Sequence, residues 1–140
     1  MQFTSFTTLI VAAAALATSA VATTSKVTWD SAYDNKNASV STVACSGFME
    51  RRGFTTFGLL ANFPYIGGAA AIADYDSPSC GTCWKLTYNG KSINVLALDH
   101  AGDGFNISEE AMDELTDGEG IVLGHVDVDV VQLTSTQCGI

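Results

Sequence analysis

The chain of 140 residues is predicted to fold as a small, mainly β domain that closes into a barrel. Three observations predict this class. Short runs of β-branched or alternating residues are separated by turns containing Gly or Asn, one segment alone has a clear helix pattern, and four cysteines are spread along the chain. A parallel α/β sheet would need helices that alternate with the strands, and we therefore reject that class.

The first segment has the pattern of a signal peptide. Residues 9–17 form an apolar run, and Ala20-Val21-Ala22 has the small-x-small form that signal peptidase cleaves, although no Lys or Arg precedes the run. The alternative is a short core helix. A membrane-spanning helix is not expected, because the run is too short to span a bilayer. We predict a signal peptide at residues 1–22, export, and one domain at residues 23–140.

The first half of the domain is predicted to contain three short strands. Residues 26–29 favour the first, and residues 40–44 alternate and favour the second. Residues 46–68 mix aromatic side chains with five glycines and are expected to be irregular, with one helical turn. Residues 71–73 are expected to form a short apolar strand.

The second half has clearer signals. Two runs rich in Thr, Tyr, Ile and Val, between residues 82 and 98, flank Asn89-Gly90, which is typical of a type I′ hairpin turn. Residues 108–115 predict a helix, because Ser108 can cap it and glutamates occupy its first turn. Residues 126–130 alternate Val with Asp and predict a strand whose valines point inward.

Net charge limits the partners. The chain has 15 acidic and 6 basic residues, a formal charge of −9, and all of them follow the predicted signal peptide. Such a surface repels phosphate backbones and anionic lipids. We therefore expect neither nucleic acid nor a membrane as partner, and we expect a monomer.

The four cysteines allow three interpretations. Cys80 and Cys83 form a CxxC pair, whereas Cys45 and Cys138 are single. A zinc site would need a second close pair, and a thioredoxin-like pair should begin a helix, but the residues after Cys83 alternate like a strand. Export favours two structural disulfides, with three pairings open, and a bond within the CxxC would constrain almost nothing. We expect no metal and no cofactor.

Residues 96–108 are the segment most suggestive of a site. An apolar strand ends at Asp99, and a Gly-rich loop brings Asn106 close to the start of the helix. Asp99 and Asp103 are of the residue type that serves as acid and base in a glycosidase, although a turn aspartate is the alternative for Asp99. His100 is a candidate proton carrier or a structural partner of Asp99.

Two aromatic residues lie among polar neighbours. Trp29 and Tyr33 flank Asp30 and have the rings that stack on sugars, with core packing as the alternative role. Asn37 and Asn106 each begin an N-x-S glycosylation sequon. The first lies in a predicted turn, whereas a glycan on the second would crowd the proposed site.

Four blocks of the chain resemble the cerato-platanins of filamentous fungi, and the resemblance covers nearly the whole domain. The blocks are FPYIGG at residues 63–68, SPSCGTCW at residues 77–84, LTYNGKSI at residues 86–93 and DHAG at residues 99–102. The resemblance implies a six-stranded double-ψ β-barrel, similar to the first domain of expansins and to a family of endoglucanases. It also implies the disulfides Cys45–Cys80 and Cys83–Cys138.

The same resemblance bears on catalysis. Asp99 is similar to the strand-end aspartate that expansins need for wall loosening. Expansins and the related endoglucanases have a second aspartate just before the helix, in a His-Phe-Asp motif, where this chain has Phe105-Asn106. An amide cannot act as a general acid, and we therefore expect no hydrolysis and no catalytic residue.

The resemblance implies a secreted protein, extracellular or in the fungal cell wall, that binds chitin or other N-acetylglucosamine oligomers, and also cellulose, and elicits plant defence. The alternative is expansin-like loosening or weak hydrolysis of cellulose or chitin through Asp99. A third hypothesis is an interaction protein recognised by a host receptor. The predicted carbohydrate-binding residues are Trp29, Asp30, Tyr33, Asp99, His100 and Asn106.

Overall fold

The computed structural model describes residues 9–16 and 21–140. Residues 9–16 are exposed and have no regular structure. Residues 1–8 and 17–20 of the predicted signal peptide lie outside the described residues, so the signal peptide stays a prediction. In the described part of the chain, no helix is both long enough and apolar enough to cross a membrane.

Six strands close into one barrel, as predicted. The strands are β1 (Thr23–Trp29), β2 (Ile66–Ala69), β3 (Cys83–Tyr88), β4 (Lys91–His100), β5 (Phe105–Ile107) and β6 (His125–Leu133). Their order around the barrel is β1-β5-β2-β4-β3-β6, and β6 pairs with β1 to complete the circle. The pairs β1–β5 and β2–β4 are parallel, and the other neighbours are antiparallel. Closure leaves no unpaired edge strand.

Short helices connect the strands. The α-helices are α1 (Ser46–Arg51), α2 (Glu109–Thr116) and α3 (Gly120–Leu123). Short 3₁₀ helices cover Ser31–Asp34, Val40–Thr42, Phe57–Leu59 and Ser135–Cys138. Four of these seven helices lie in the connection between β1 and β2.

Local signals account for the elements that were predicted correctly. The hairpin of β3 and β4 turns at Asn89 and Gly90, whose φ angles of 46° and 79° are those of a type I′ turn. In β6, Val126, Val128 and Val130 are buried and the aspartates between them are exposed. Each buried valine stabilises the fold by about 1.5–3 kcal/mol, which fixes the face that β6 turns inward.

Two predicted strands are absent, for identifiable reasons. Residues 40–44 were predicted to be a strand, but Val40–Thr42 is a 3₁₀ helix because the Ser39 hydroxyl accepts a hydrogen bond from the Ser41 amide. Residues 71–73 form no strand, because Ala71 belongs to the turn after β2 and residues 72–73 have no regular structure. Strand β2, which precedes this turn, contains Gly67 and Gly68, because any β-carbon there would clash with the backbone of neighbouring strands.

Both disulfides have the pairing that the resemblance implied. Cys45 bonds to Cys80, which ties the start of α1 to the loop before β3. Cys83 bonds to Cys138, which ties β3 to the C-terminal 3₁₀ helix. All four cysteines are bonded, so the zinc and redox interpretations of the CxxC pair are excluded.

Candidate functional site

A cleft of about 390 Å³ opens where β4 ends. One wall is the 3₁₀ helix Ser31–Asp34, and the opposite wall comes from the segment that leads into α1. The residues that give the cleft its chemical character are Asp30, Tyr33, Asn35, Ala38, Phe57 and Asp99. Three of the six predicted binding residues therefore meet in one cleft, namely Asp30, Tyr33 and Asp99.

Asp99 is held by three hydrogen bonds. Its Oδ1 accepts from the backbone amides of Ala44 and His100, at 3.0 Å and 2.8 Å. Its Oδ2 accepts from the hydroxyl of Tyr33 at 2.9 Å. Three donors suit the ionised carboxylate, which is an acceptor only. Asp99 is therefore a fixed anionic group at the floor of the cleft.

Tyr33 positions Asp99 rather than offering an open ring face. The side chain is only 7% exposed, and its ring centroid lies 6.3 Å from that of Phe57. Burial and the negative charge of Asp99 hold the pKa of the Tyr33 phenol well above its usual range. The hydroxyl therefore keeps its proton and donates a hydrogen bond to Asp99, a role that the sequence did not suggest.

Asp30 brings a second carboxylate to the cleft. It is exposed, and its Oδ1 accepts a 2.8 Å hydrogen bond from the amide of Ala32, which starts the 3₁₀ helix. Its own amide donates to the carbonyl of Ile107 in β5, which fixes the position of the turn. On sequence grounds, Asp103 is the candidate carboxylate to act together with Asp99, but Asp30 is the carboxylate that shares the cleft with it.

The other three predicted residues lie outside this cleft. His100 is exposed at the end of β4, with Nδ1 2.6 Å from the carbonyl oxygen of Ile72, so Nδ1 donates and Nε2 is left to solvent. Trp29 is half-buried at the end of β1. Asn106 lies in β5, where its Oδ1 accepts from the Thr28 hydroxyl. The strand register brings them close to Asp99, because Asp99, Gly68, Asn106 and Thr28 follow one another across β4, β2, β5 and β1, but none of the three lines the cleft.

Gly68 lies between Asn106 and Asp99 on neighbouring strands. In the barrel, Gly68 of β2 is in register with Asp99 on one side and with Asn106 on the other. Neighbouring strands are about 4.8 Å apart, which puts the two backbones roughly 10 Å from each other. A β-carbon on Gly68 would lie 2.7 Å from the carbonyl oxygen of His100, so only glycine fits between them.

A second cleft, of about 400 Å³, lies beside the disulfides and contains none of the predicted residues. The guanidinium of Arg52 lies 4.1 Å from the ring centroid of Phe48 at its edge. This second cleft is slightly larger, and its lining includes the polar side chains of Arg52, Thr82, Gln132, Thr134 and Ser135, but it contains no Asp or Glu side chain. Among residues 9–16 and 21–140, no group of three or more His, Cys, Asp or Glu side chains is arranged to hold a metal ion.

Comparison with known proteins identifies the family. The family model of cerato-platanin matches residues 25–140, which includes the whole cleft. The chain belongs to the cerato-platanin family. Cerato-platanins are small proteins of fungi, and this one is 38% identical over 123 residues to the heat-stable 19 kDa antigen of Coccidioides immitis, covering 86% of this chain and 84% of the antigen.

Solved cerato-platanin structures have the same barrel. The chain is 41% identical to cerato-platanin 2 from M. perniciosa, with a TM-score of 0.79 over 84% of this chain and 100% of the other. It is 37% identical to the fungal elicitor Cerato-Platanin, with a TM-score of 0.70 over 81% of this chain and 95% of the other. The resemblance drawn from the sequence blocks is thus confirmed.

Proposed function

We propose that this cerato-platanin is a secreted, non-catalytic protein that binds oligomers of N-acetylglucosamine in the cleft around Asp99. The observation that supports this most directly is the set of three hydrogen bonds that hold Asp99 beneath an open cleft. A carboxylate fixed in one orientation gives a ligand an acceptor that needs no reordering on binding.

The chemistry of the cleft suits an amide-bearing sugar. Asp99 and the exposed Asp30 are acceptors, and the hydroxyl and acetamido N–H groups of N-acetylglucosamine are donors. The apolar surfaces of Ala38 and Phe57 in the same cleft suit an acetamido methyl group. Cellulose offers the hydroxyl groups without the acetamide, so we propose chitin oligomers as the first ligand and cellulose as a weaker one.

Longer oligomers would extend past the cleft. In this proposal, sugars beyond those in the cleft contact His100, Asn106 and Trp29, which lie in or next to the register row that contains Asp99. His100 offers its Nε2 and Asn106 a side-chain amide. Binding should be weak and increase with oligomer length, since an open cleft leaves much of a short ligand hydrated.

The proposal that binding is non-catalytic rests on Asn106. A glycosidase needs a carboxyl group that delivers a proton, and this chain has an amide in β5 at the position where the related endoglucanases have their second aspartate. The presence of Asp30 in the same cleft supports a second candidate, weak hydrolysis or expansin-like loosening. Release of reducing sugars from chitin or amorphous cellulose, lost in both Asp99→Asn and Asp30→Asn, would support the second candidate over the first.

We further propose that the protein is exported and elicits plant defence, with a host receptor as partner. The predicted signal peptide supports export, and the similarity to a protein described as a fungal elicitor supports the defence role. Infiltration of purified protein into leaves tests this. If the receptor reads the sugar cleft, Asp99→Asn should abolish the response, and if it reads other loops, that variant should remain active.

Titration with N-acetylglucosamine hexamer, followed by NMR, tests the binding site. We expect shift changes at Asp30, Asp99 and their neighbours, and at least about tenfold weaker binding in Asp99→Asn, since a hydrogen bond to a charged group contributes at least about 1.4 kcal/mol. The control is Asp127→Asn, which removes one exposed carboxylate on β6, away from the cleft. Unchanged affinity in Asp99→Asn, or equal loss in Asp127→Asn, would refute the site.

A further inference from the structure

We propose that Asn37 carries an N-linked glycan that restricts entry of ligands to the Asp99 cleft. The inference rests on the proposed export and on the proposed binding function. It concerns the rim of the cleft, where an Asn-Ala-Ser sequon lies in the turn that follows the 3₁₀ helix Ser31–Asp34.

The turn at Asn37 forms one rim of the cleft. The amide of Ala38 donates to the carbonyl of Asn35 at 2.9 Å, and the amide of Asn37 donates to Asn35 Oδ1 at 3.1 Å. Asn35 and Ala38 both line the cleft, and Asn37 lies between them in sequence and is exposed. A glycan attached here therefore begins at the mouth of the cleft.

The side chain of Asn37 is available for this modification. Its side-chain amide makes no hydrogen bond to residues 9–16 or 21–140, and only its backbone N–H is hydrogen-bonded. Modification of Nδ2 therefore breaks no contact of the folded domain. A glycan is bulky and strongly hydrated, so one that begins at the rim would compete for the space through which a sugar chain enters.

The second sequon is a natural comparison within the same chain. Asn106 lies in the middle of β5, which is hydrogen-bonded to β1 and to β2, and its Oδ1 is bonded to Thr28. The sequon's hydroxyl residue, Ser108, is fully buried and caps α2. An enzyme has far less access to this sequon, so we expect Asn37 to be modified and Asn106 to be unmodified.

The step is a group transfer in the secretory pathway. The donor is a lipid-linked oligosaccharide diphosphate. The bond between the anomeric carbon and the phosphate oxygen breaks, and a bond between that carbon and Asn37 Nδ2 forms. Nδ2 loses one proton, and the lipid diphosphate leaves with the bonding electron pair. No oxidant or reductant is needed.

Mass spectrometry of the protein secreted by a yeast host tests the modification. The full chain should lose mass on treatment with an endoglycosidase. Asn37→Gln should abolish that loss, whereas Asn106→Gln should leave it intact. No mass change in the unsubstituted protein, or a mass change that persists in Asn37→Gln, would overturn the proposal.

The affinity for the N-acetylglucosamine hexamer tests whether the Asn37 glycan restricts entry to the Asp99 cleft. The glycosylated protein should bind at least threefold more weakly than Asn37→Gln. The control combines Asn37→Gln with Lys91→Thr, which completes a sequon at the exposed Asn89 in the hairpin turn. Lys91 and Asp99 are eight positions apart along β4, about 26 Å, so a glycan at Asn89 should leave the affinity at the Asn37→Gln value.

The outcomes separate this inference from the proposed function. Equal affinity with and without the Asn37 glycan, or an equal loss caused by the glycan at Asn89, overturns the restriction and leaves chitin binding standing. If no form binds the hexamer, the restriction and the proposed function both fail.

Discussion

Tyr33 and Asp99 are 66 residues apart in the chain and are joined by a 2.9 Å hydrogen bond from the phenol to Oδ2. The bond connects the 3₁₀ helix that follows β1 to the end of β4. Strands β1 and β4 are not neighbours in the barrel. The hydrogen bond that orients Asp99 in the cleft therefore also joins the segment after β1 to the end of β4.

Removal of the Tyr33 hydroxyl should affect stability and binding together. Tyr33→Phe keeps the buried ring but leaves Asp99 Oδ2 without its donor, which should lower the free energy of unfolding by about 1–3 kcal/mol. The weakened orientation of Asp99 should also lower hexamer affinity. Urea denaturation and NMR titration measure the two effects. Tyr75→Phe, whose residue is 69% exposed, is the matched control and should change neither.

Asp34 should be important for helix α2. Its two oxygens accept from the amides of Glu109 and Glu110 at 2.9 Å and 3.0 Å, while Ser108 caps the next amide. Asp34→Ala should lower the free energy of unfolding by about 1–2 kcal/mol, because it exposes two helix N–H groups and removes a favourable charge. Equilibrium denaturation checks this. The same substitution at exposed Asp127 should have no such effect.

Asp76 should make stability depend on pH in the acid range. The hydrogen bond from Arg51, at 2.8 Å, and then the amide of Phe48 hold the pKa of its carboxyl below the usual value of 3.8. Because the folded pKa is the lower one, this stabilisation is fully present above the unfolded pKa and is lost as the pH falls through the folded pKa.

Thermal melts of the unsubstituted protein and of Asp76→Asn check the pH dependence. The difference in Tm should be constant near neutral pH and should shrink below about pH 4, where the carboxyl of the unfolded chain takes up a proton. A difference that stayed constant down to pH 2 would contradict the assignment.

The two disulfides should differ in their effect on binding. Each closes a long loop, of 35 and 55 residues in sequence separation. The chain-entropy relation gives about 4 kcal/mol of stabilisation for either one. Cys45 directly follows Ala44, whose amide donates to Asp99. Replacement of Cys45 and Cys80 by Ala should therefore weaken hexamer binding at temperatures where the domain is still folded. The Cys83→Ala, Cys138→Ala pair should lower stability only.

Elements with strong local signals were predictable from sequence. The Asn89-Gly90 hairpin, helix α2 with its Ser108 cap and the alternating strand β6 each depend on neighbouring residues. The strand predicted at residues 71–73 was wrong, and β2 lies at Ile66–Ala69 instead. Two of its four residues are glycines, which give no strand signal and are required here because neighbouring strands approach closely. Tertiary contacts determine the secondary structure of such segments, and residue propensities do not contain information on those contacts.

The site was predictable in part for the same reason. Asp99 was found because a polar residue at the end of an apolar strand is a local feature. The role of Tyr33 and the shared cleft of Asp30 and Asp99 depend on contacts between distant parts of the chain. No spacing in a single sequence reveals these contacts.

The pairing of Asp30 and Asp99 in one cleft has a consequence for the choice among wall polymers. Two acidic side chains in the cleft repel uronic acids, so under the proposed function pectic chains should be rejected while uncharged chains are admitted. In a plant wall, where acidic and neutral polysaccharides are interwoven, a protein with the proposed function would then concentrate on the neutral fibres.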